Sequence, residues 1–345
     1  MGSQPAPPAQ HWSRYRGNVA RHLIGISGDL QARVRLRLAE EHGFAGLRPS
    51  FGPLLSLIWR EGLPPGALAA ELAISKQACS QLVGQVEAAG YLERIPNPDD
   101  GRSRLARLTP AGRAVVEAGV EVILAIEAEY ADAVGAAAYR RFTASLAALY
   151  KGLGIPSHAN VALIAQAGRS AGMLPLVAVR IERELMEAAL GRGHTGLKMS
   201  HSQVLPQVGP RGRRIGEIAR IQRVSRQAIS ATSRDLEAQG YLRRDADPVD
   251  GRGVVLRLSA RGERLIADSV AAVDRMERRF RGLLGAARFD ALSRVARELY
   301  CALEIEPPGE PGEIEALAAN LQQRLGREGA ARLAELLEGA GPAAG

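Results

Sequence analysis

Residues 68–113 read LAAELAISKQACSQLVGQVEAAGYLERIPNPDDGRSRLARLTPAGR, and residues 218–263 read IARIQRVSRQAISATSRDLEAQGYLRRDADPVDGRGVVLRLSARGE. At a fixed offset of 150 the two stretches align without a gap, and 18 of the 46 positions are identical. Among the identities are Ser75/Ser225, Gln77/Gln227, Ser80/Ser230, Gly90/Gly240, Tyr91/Tyr241 and Gly112/Gly262. The register persists outward, from Gly46-Leu47/Gly196-Leu197 to Leu149-Tyr150/Leu299-Tyr300. One supersecondary unit is therefore written twice in tandem.

Each copy has a readable order of elements. In the first, apolar residues at helical spacing (Val19, Leu23, Leu30, Val34, Leu38) predict a helix from about Tyr15 to His42. Ser50 is a candidate cap for a second helix, and Pro64-Pro65 open a third. A fourth runs from Ser75 to Ala89 and stops at Gly90. Tyr91 to Ile95 and Arg104 to Leu108 read as strands of a hairpin with its tip at Pro96–Gly101. Thr109-Pro110 is a strong helix start, leading to two long helices that end near Lys151. The second copy retraces this order, with helices over Val161–Leu190, near Ser200, Ile215–Ile221 and Ser225–Gln239, a hairpin over Tyr241–Leu258, and long helices to Leu303. The expected division is a disordered tail (1–14), a first domain (15–153), a second domain (154–305), and a linker with a helical extension (306–345). The extension has PPGEPG at 307–312 and a helix or helical pair over Ile314–Leu337. The predicted fold class is mainly α with small β-wings: two winged helix-turn-helix domains in tandem, joined by long helices.

Bulk properties narrow the function. The 345 residues are 46% hydrophobic but only 4% aromatic, which favours helix, and the net charge of +8 suits an anionic partner such as nucleic acid. Two cysteines give neither a disulfide framework nor a metal motif, so a reducing cytoplasm is expected. No apolar run reaches membrane-spanning length, and no partnership with a membrane is expected. No nucleophile, base and orienter come together in the sequence, so an enzyme is not expected. No cofactor is implied, and Glu40-Glu41-His42 is too sparse to make a metal set.

Taken with ISKQACSQLVGQVEAAGYLER, Asp100-Gly101-Arg102 and the LTPAG run at 108–112, the chain resembles the MarR family of bacterial transcriptional regulators, twice over. The second set is VSRQAISATSRDLEAQGYLRR, Asp250-Gly251-Arg252 and LSARG at 258–262. The resemblance covers roughly residues 15 to 305. It implies double-stranded DNA as partner and a small aromatic or anionic effector held between a helical base and a winged domain. It also implies a homodimer or, here, a monomeric pseudo-dimer. Trp59, Tyr130, Tyr150 and Tyr300 are candidates either for such a pocket or for the core.

A recognition helix reads the major groove with its N-terminal residues. Taking Cys79, Leu82 and Val86 as the buried stripe, Ser75, Lys76, Gln77, Ser80 and Gln81 face outward; Ser225, Arg226, Gln227, Ser230 and Arg234 correspond in the second copy. Gln fits adenine, and Lys or Arg fits guanine or phosphate. By resemblance, Arg102 and Arg252 enter the minor groove while Asp100 and Asp250 hold the wing tips. Minor-groove entry suits Arg, because narrow A·T tracts concentrate negative potential. The copies differ in charge: residues 211–263 carry 12 basic and 7 acidic groups, residues 61–113 carry 6 of each, and Arg211, Arg213 and Arg214 form a cluster with no basic equivalent. The second copy is thus expected to be the stronger electrostatic anchor. The expected function is a sequence-specific regulator released by a small ligand and bound to an imperfect palindrome. Two alternatives are a ligand-independent architectural DNA-binding protein and an interaction scaffold with one degenerate winged domain.

Overall fold

The computed structural model describes residues 9–155, 172–247 and 254–305, apart from single positions 49, 60, 73, 99 and 223, together with a few positions between 326 and 332. The wing tip of the second copy (248–253), the segment 156–171 and nearly all of the C-terminal extension lie outside the described residues. The predicted linker, most of the Ile314–Leu337 helix and the first third of the Val161–Leu190 helix therefore lie outside them too.

The first helical stretch is divided. Helix α1 (Ala9–Arg16) ends before Gly17, and α2 (Val19–Glu40) begins anew. The cause is Asn18, which lies in extended backbone and accepts the Arg21 N–H at 2.9 Å as an N-cap. Part of the predicted tail is thus helix, and Trp12 on it is buried. Next come α3 (Phe51–Leu57), α4 (Pro65–Glu71), α5 (Lys76–Ala88), β1 (Leu92–Asn97) and β2 (Asp100–Leu108). Ser50 precedes α3 without capping it, since its backbone is already helical. The hairpin strands reach further than the sequence pattern implies, pairing from Leu92↔Leu108 out to Asn97↔Asp100. Long helices α6 (Pro110–Val134) and α7 (Ala136–Gly152) follow.

The second copy gives α8 (Leu174–Gly191), a 3-10 turn (Met199–Gln203), α9 (Leu205–Val208), β3 (Arg213–Arg214), α10 (Ile215–Ile221), α11 (Arg226–Ala238), β4 (Leu242–Ala246), β5 (Val254–Leu258), α12 (Ala260–Leu284) and α13 (Ala286–Ala302). Its sheet has the order β3-β5-β4, with Arg213 opposite Leu256. In the first copy a single bridge between Leu63 and Ala106 stands at the same offset. Both lobes are winged helix-turn-helix folds.

Two compact units cut across the copies. One comprises residues 18–187 and 273–305, and holds the first winged lobe with a helical base. The base core draws on both copies: Leu23 and Ile26 of α2, Ile126 of α6, Phe142 and Leu146 of α7, Val177 and Ile181 of α8, Phe280 of α12, and Leu292 and Leu299 of α13. Each such burial contributes about 1.5–3 kcal/mol before chain entropy is counted. Helices α2 and α13 approach so closely that a Cβ on Gly25 would stand 2.3 Å from the Tyr300 ring. Tyr130, in this core, donates to Asp29 at 2.6 Å, while Arg33 bridges Asp29 and Glu129 at 2.9 and 3.1 Å. The first lobe has its own core of Phe51, Leu54, Leu68, Cys79, Val83 and Leu92. In the other unit, residues 188–272 build the second lobe around Val204, Ile218, Ile229, Leu236, Tyr241 and Leu256, with Trp12 of α1 among them.

His22 lies in the base, its ring 4.9 Å from that of Tyr300. Burial first, then the Arg21 and Arg297 charges, lower its pKa from 6.5 to about 4. The unfolded chain therefore takes up a proton near pH 6.5 that the folded chain refuses until about pH 4. This group's stabilising contribution is whole above the upper value and is lost as pH falls towards the lower one. Between pH 7 and pH 4 the loss amounts to roughly 3 kcal/mol. Denaturant titrations of wild type and His22→Phe across that range should show the variant losing less stability by about this amount; parallel losses would contradict the assignment.

Candidate nucleic-acid interface

Helix α5 starts at Ser75, whose hydroxyl accepts the Ala78 N–H at 3.1 Å, and α11 starts at Ser225, which accepts the Ala228 N–H at 3.1 Å. The repeated serine is thus an N-cap, a role that competes with any base contact by its Oγ. On α5 the buried residues are Cys79, Val83 and Val86, so the inward stripe runs through Val83 rather than Leu82. Leu82 is half-buried at the edge of a cleft described below. Lys76, Gln77, Ser80 and Gln81 are exposed together, as the sequence pattern predicts. On α11, Ile229, Ser233 and Leu236 point inward, and Arg226, Gln227 and Arg234 are exposed. Ser230 is only half-exposed. Cys79 is core, its thiol donating to Pro65 O at 3.4 Å and pushed up in pKa by burial.

The helices are held by a device that sequence inspection passed over. In the first lobe Arg48 Nη1 donates to Gln85 Oε1 at 3.0 Å. At the same two positions in the second lobe, Lys198 Nζ reaches Asp235 at 2.6 Å, and His201 Nε2 lies 3.0 Å from the same carboxylate. Hydrogen bonds from Lys198, Gln239 and His201 hold the Asp235 carboxyl far below the usual carboxylate range. The signal was available as two covarying differences at offset 150, Arg48/Lys198 and Gln85/Asp235. Nearby, His194 Nε2 lies 2.9 Å from Asp268, which Arg192 also contacts at 2.7 Å.

At the first wing tip the Asp100 carboxylate accepts the Arg102 backbone N–H at 3.0 Å, and Ser103 Oγ donates to Asp100 O at 3.2 Å. This closes the tip and leaves the Arg102 side chain exposed. Asp250 and Arg252 lie outside the described residues. Much of the remaining wing charge is used internally. Arg107 pairs with Glu93 at 2.7 Å, Arg94 with Glu87 at 3.2 Å, Arg244 with Glu237 at 2.7 Å, and Arg257 with Asp245 at 3.1 Å. The basic cluster also shrinks: Arg213 is buried beside Gln207, Arg214 is paired with Asp247, and only Arg211 is exposed. The formal excess of positive charge in the second copy thus overstates what its surface offers to phosphates.

The wings are attached to the long helices in the same way twice. Thr109 Oγ1 donates to Gly90 O at 2.7 Å and accepts the Gly112 N–H at 3.1 Å; Ser259 makes the same pair of bonds with Gly240 and Gly262. A Cβ on Gly112 would stand 1.9 Å from Tyr91 O, and one on Gly262 would stand 2.2 Å from Tyr241 O. The glycine of LTPAG and of LSARG is therefore imposed by a carbonyl pressed against the first turn of the helix.

A cleft of about 600 Å³ opens within the first unit, where α2, α6 and the start of α8 face the first winged lobe. Val34, Leu47, Phe51, Leu55, Ile123 and Leu176 give it an apolar lining, to which Arg35, Arg48, Arg180 and Arg183 add positive charge. Trp59, Tyr130, Tyr150 and Tyr300 do not line it: Trp59 packs against the first lobe's core, and the three tyrosines belong to the base core.

The geometry defines a protein with two winged helix-turn-helix lobes, each presenting a capped, polar-faced helix. A family model described as MarR family matches residues 46–103 and again residues 195–253. Both winged lobes thus match the MarR family model, over two segments that together make up about a third of the chain. Several solved structures are similar to parts of the chain. A transcriptional regulator of Thermotoga maritima is 27% identical over 32% of this chain and 75% of its own, with a TM-score of 0.27. YusO of Bacillus subtilis is 18% identical over 43% of this chain and 99% of its own, with a TM-score of 0.32. MarR of E. coli in its apo form is 22% identical over 28% and 68%, with a TM-score of 0.24. No curated protein matches the chain. Among the described residues no helix is long and apolar enough to cross a membrane.

Replacing Gly112 or Gly262 with Ala should destabilise the protein by at least about 1–3 kcal/mol, as overpacking against a fixed backbone does. A calorimetric melt of either variant that coincides with wild type would show that the carbonyl contact is not a constraint.

Proposed function

We propose that one chain binds one duplex site as an internal pseudo-dimer. The supporting observation is the doubled readout apparatus: α5 and α11 carry the same serine cap and the same exposed glutamine. Terminal helices of both copies share one base core. Lys76, Gln77, Ser80 and Gln81 read one major-groove half-site and Arg226, Gln227, Ser230 and Arg234 the other, each helix being started at the DNA by its serine cap, Ser75 or Ser225. Arg102 and Arg252 enter the flanking minor grooves, with Asp100 and Asp250 shaping the turns that aim them. Two half-sites about 10 bp apart follow from one helical turn of DNA. A regulator of this kind works in the cytoplasm, where its two cysteines stay reduced.

A small ligand controls this binding. The cleft's volume falls within the usual range for small-molecule sites, roughly 300–1,000 Å³. Its apolar lining and its arginines select a ring-bearing or otherwise apolar molecule with an anionic group. The cleft abuts Leu82 of α5, so occupancy bears directly on the helix that reads DNA. This favours a ligand-responsive regulator over a purely architectural one.

Because Ala231 stands at the position equivalent to Gln81, and Arg234 at that of Gly84, the operator is an imperfect palindrome with half-sites that do not interchange. Selection from random duplexes should yield such a consensus. Arg102→Ala and Arg252→Ala should each weaken binding to it by about 1–3 kcal/mol. A perfectly symmetric consensus, or full affinity in both folded variants, would overturn the proposal.

A further inference from the structure

The two lobes carry the same walls around different contents. The winged-lobe and α6 side of the first cleft is built from Leu47, Phe51, Leu55, Val115 and Val116. At offset 150 stand Leu197, His201, Leu205, Leu265 and Ile266. Of these, Leu205, Leu265 and Ile266 are buried in one cluster with Trp12, and Leu197 packs against that cluster. His201 is buried too, tied to Asp235 as described.

We infer that Trp12 occupies the second copy's counterpart of the ligand cleft, so that a chain takes one ligand and not two. This rests on reading the first cleft as a ligand site. Three observations carry it. Trp12 is 1% exposed, and within α1 its neighbours from His11 to Arg16 are all less buried, so its ring is the part of the helix sunk deepest into the lobe. Tyr15 supports that ring at a centroid distance of 5.5 Å. The indole Nε1 is buried without a hydrogen-bond partner among the described residues. A buried Trp normally satisfies its N–H, so the unpaired one marks surroundings that offer the ring apolar contacts and no polar partner. Finally, the positions that correspond to Trp12 and Tyr15 at offset 150 are Ala162 and Ala165, which carry no ring to place in the first cleft. They lie outside the described residues. The duplication thus keeps one site for an external molecule and closes the other with part of its own chain, fixing the second lobe while the first responds.

The test is stoichiometry, measured by equilibrium dialysis of the full chain with 8-anilinonaphthalene-1-sulfonate, an aromatic anion. Wild type should bind one equivalent and Trp12→Ala two. Gly119→Phe, which fills open space at the first cleft, should bind none, and the double variant one. Trp12→Leu retains an apolar anchor and should also gain a second, weaker site, which covers the case in which the alanine variant does not melt cooperatively. If neither cooperatively folded Trp12 variant gains a site, or if wild type binds two equivalents that Gly119→Phe reduces only to one, the inference is overturned. Wild type binding none while Trp12→Ala binds one would instead remove the first cleft as a ligand site and leave the role of Trp12 standing.

Discussion

Everything in this molecule depends on a core that neither copy of the repeat can complete alone. The apolar faces of α2, α6 and α7 come from the first copy, and those of α8, α12 and α13 from the second; they close on one another around Ile126, Phe142, Phe280 and Leu292. A helix stripe left facing water forfeits its hydrophobic stabilisation, so each copy's terminal helices hold the other's in place. Gly25 shows how tight the fit is, since α2 has no room for a methyl group beside Tyr300. The compact units therefore follow the packing and not the repeat, and Trp12 belongs to the second lobe despite its place at the start of the chain.

Each lobe is joined to a long helix by the same short chemistry, repeated within one chain. A hydroxyl at Thr109 or Ser259 ties the end of the recognition helix to the start of a long base helix, and a glycine admits the Tyr91 or Tyr241 carbonyl. Such a joint transmits displacement, because a packed backbone contact has little compressibility. The differences between the lobes lie one layer out. The first has an apolar cleft and an Arg48–Gln85 bond without a carboxylate, whereas in the second Trp12 joins the lobe core and Lys198 and His201 meet the Asp235 carboxylate. On the proposed reading, duplication leaves one lobe open to a ligand and closes the other with part of the chain itself.

The repeat, the order of elements and the outward face of α5 were legible in the sequence because local signals carry them: the 150-residue register, helical spacing, and the Thr109-Pro110 start. The finer packing was not. Leu82 and Val83 are both apolar and adjacent, and only the tertiary setting turns Val83 inward and Leu82 to the cleft. The break at Asn18 was hidden by a continuous apolar stripe, although Gly17-Asn18 is a breaker followed by a capping residue. The basic cluster at Arg211, Arg213 and Arg214 misled because formal charge ignores partners: Arg214 pairs with Asp247 and Arg213 is buried. Trp12 was missed for a different reason, since its contacts lie about two hundred residues away and leave no local pattern.

The central claim is that the interlocked base makes one chain equivalent to the two subunits of a dimeric regulator. Native mass spectrometry of the protein on a duplex carrying a single selected site measures this most directly. The account predicts one chain per duplex at the lowest saturating concentration, with no species of two chains required for specific binding. A minimum specific complex of two chains on one site would contradict it.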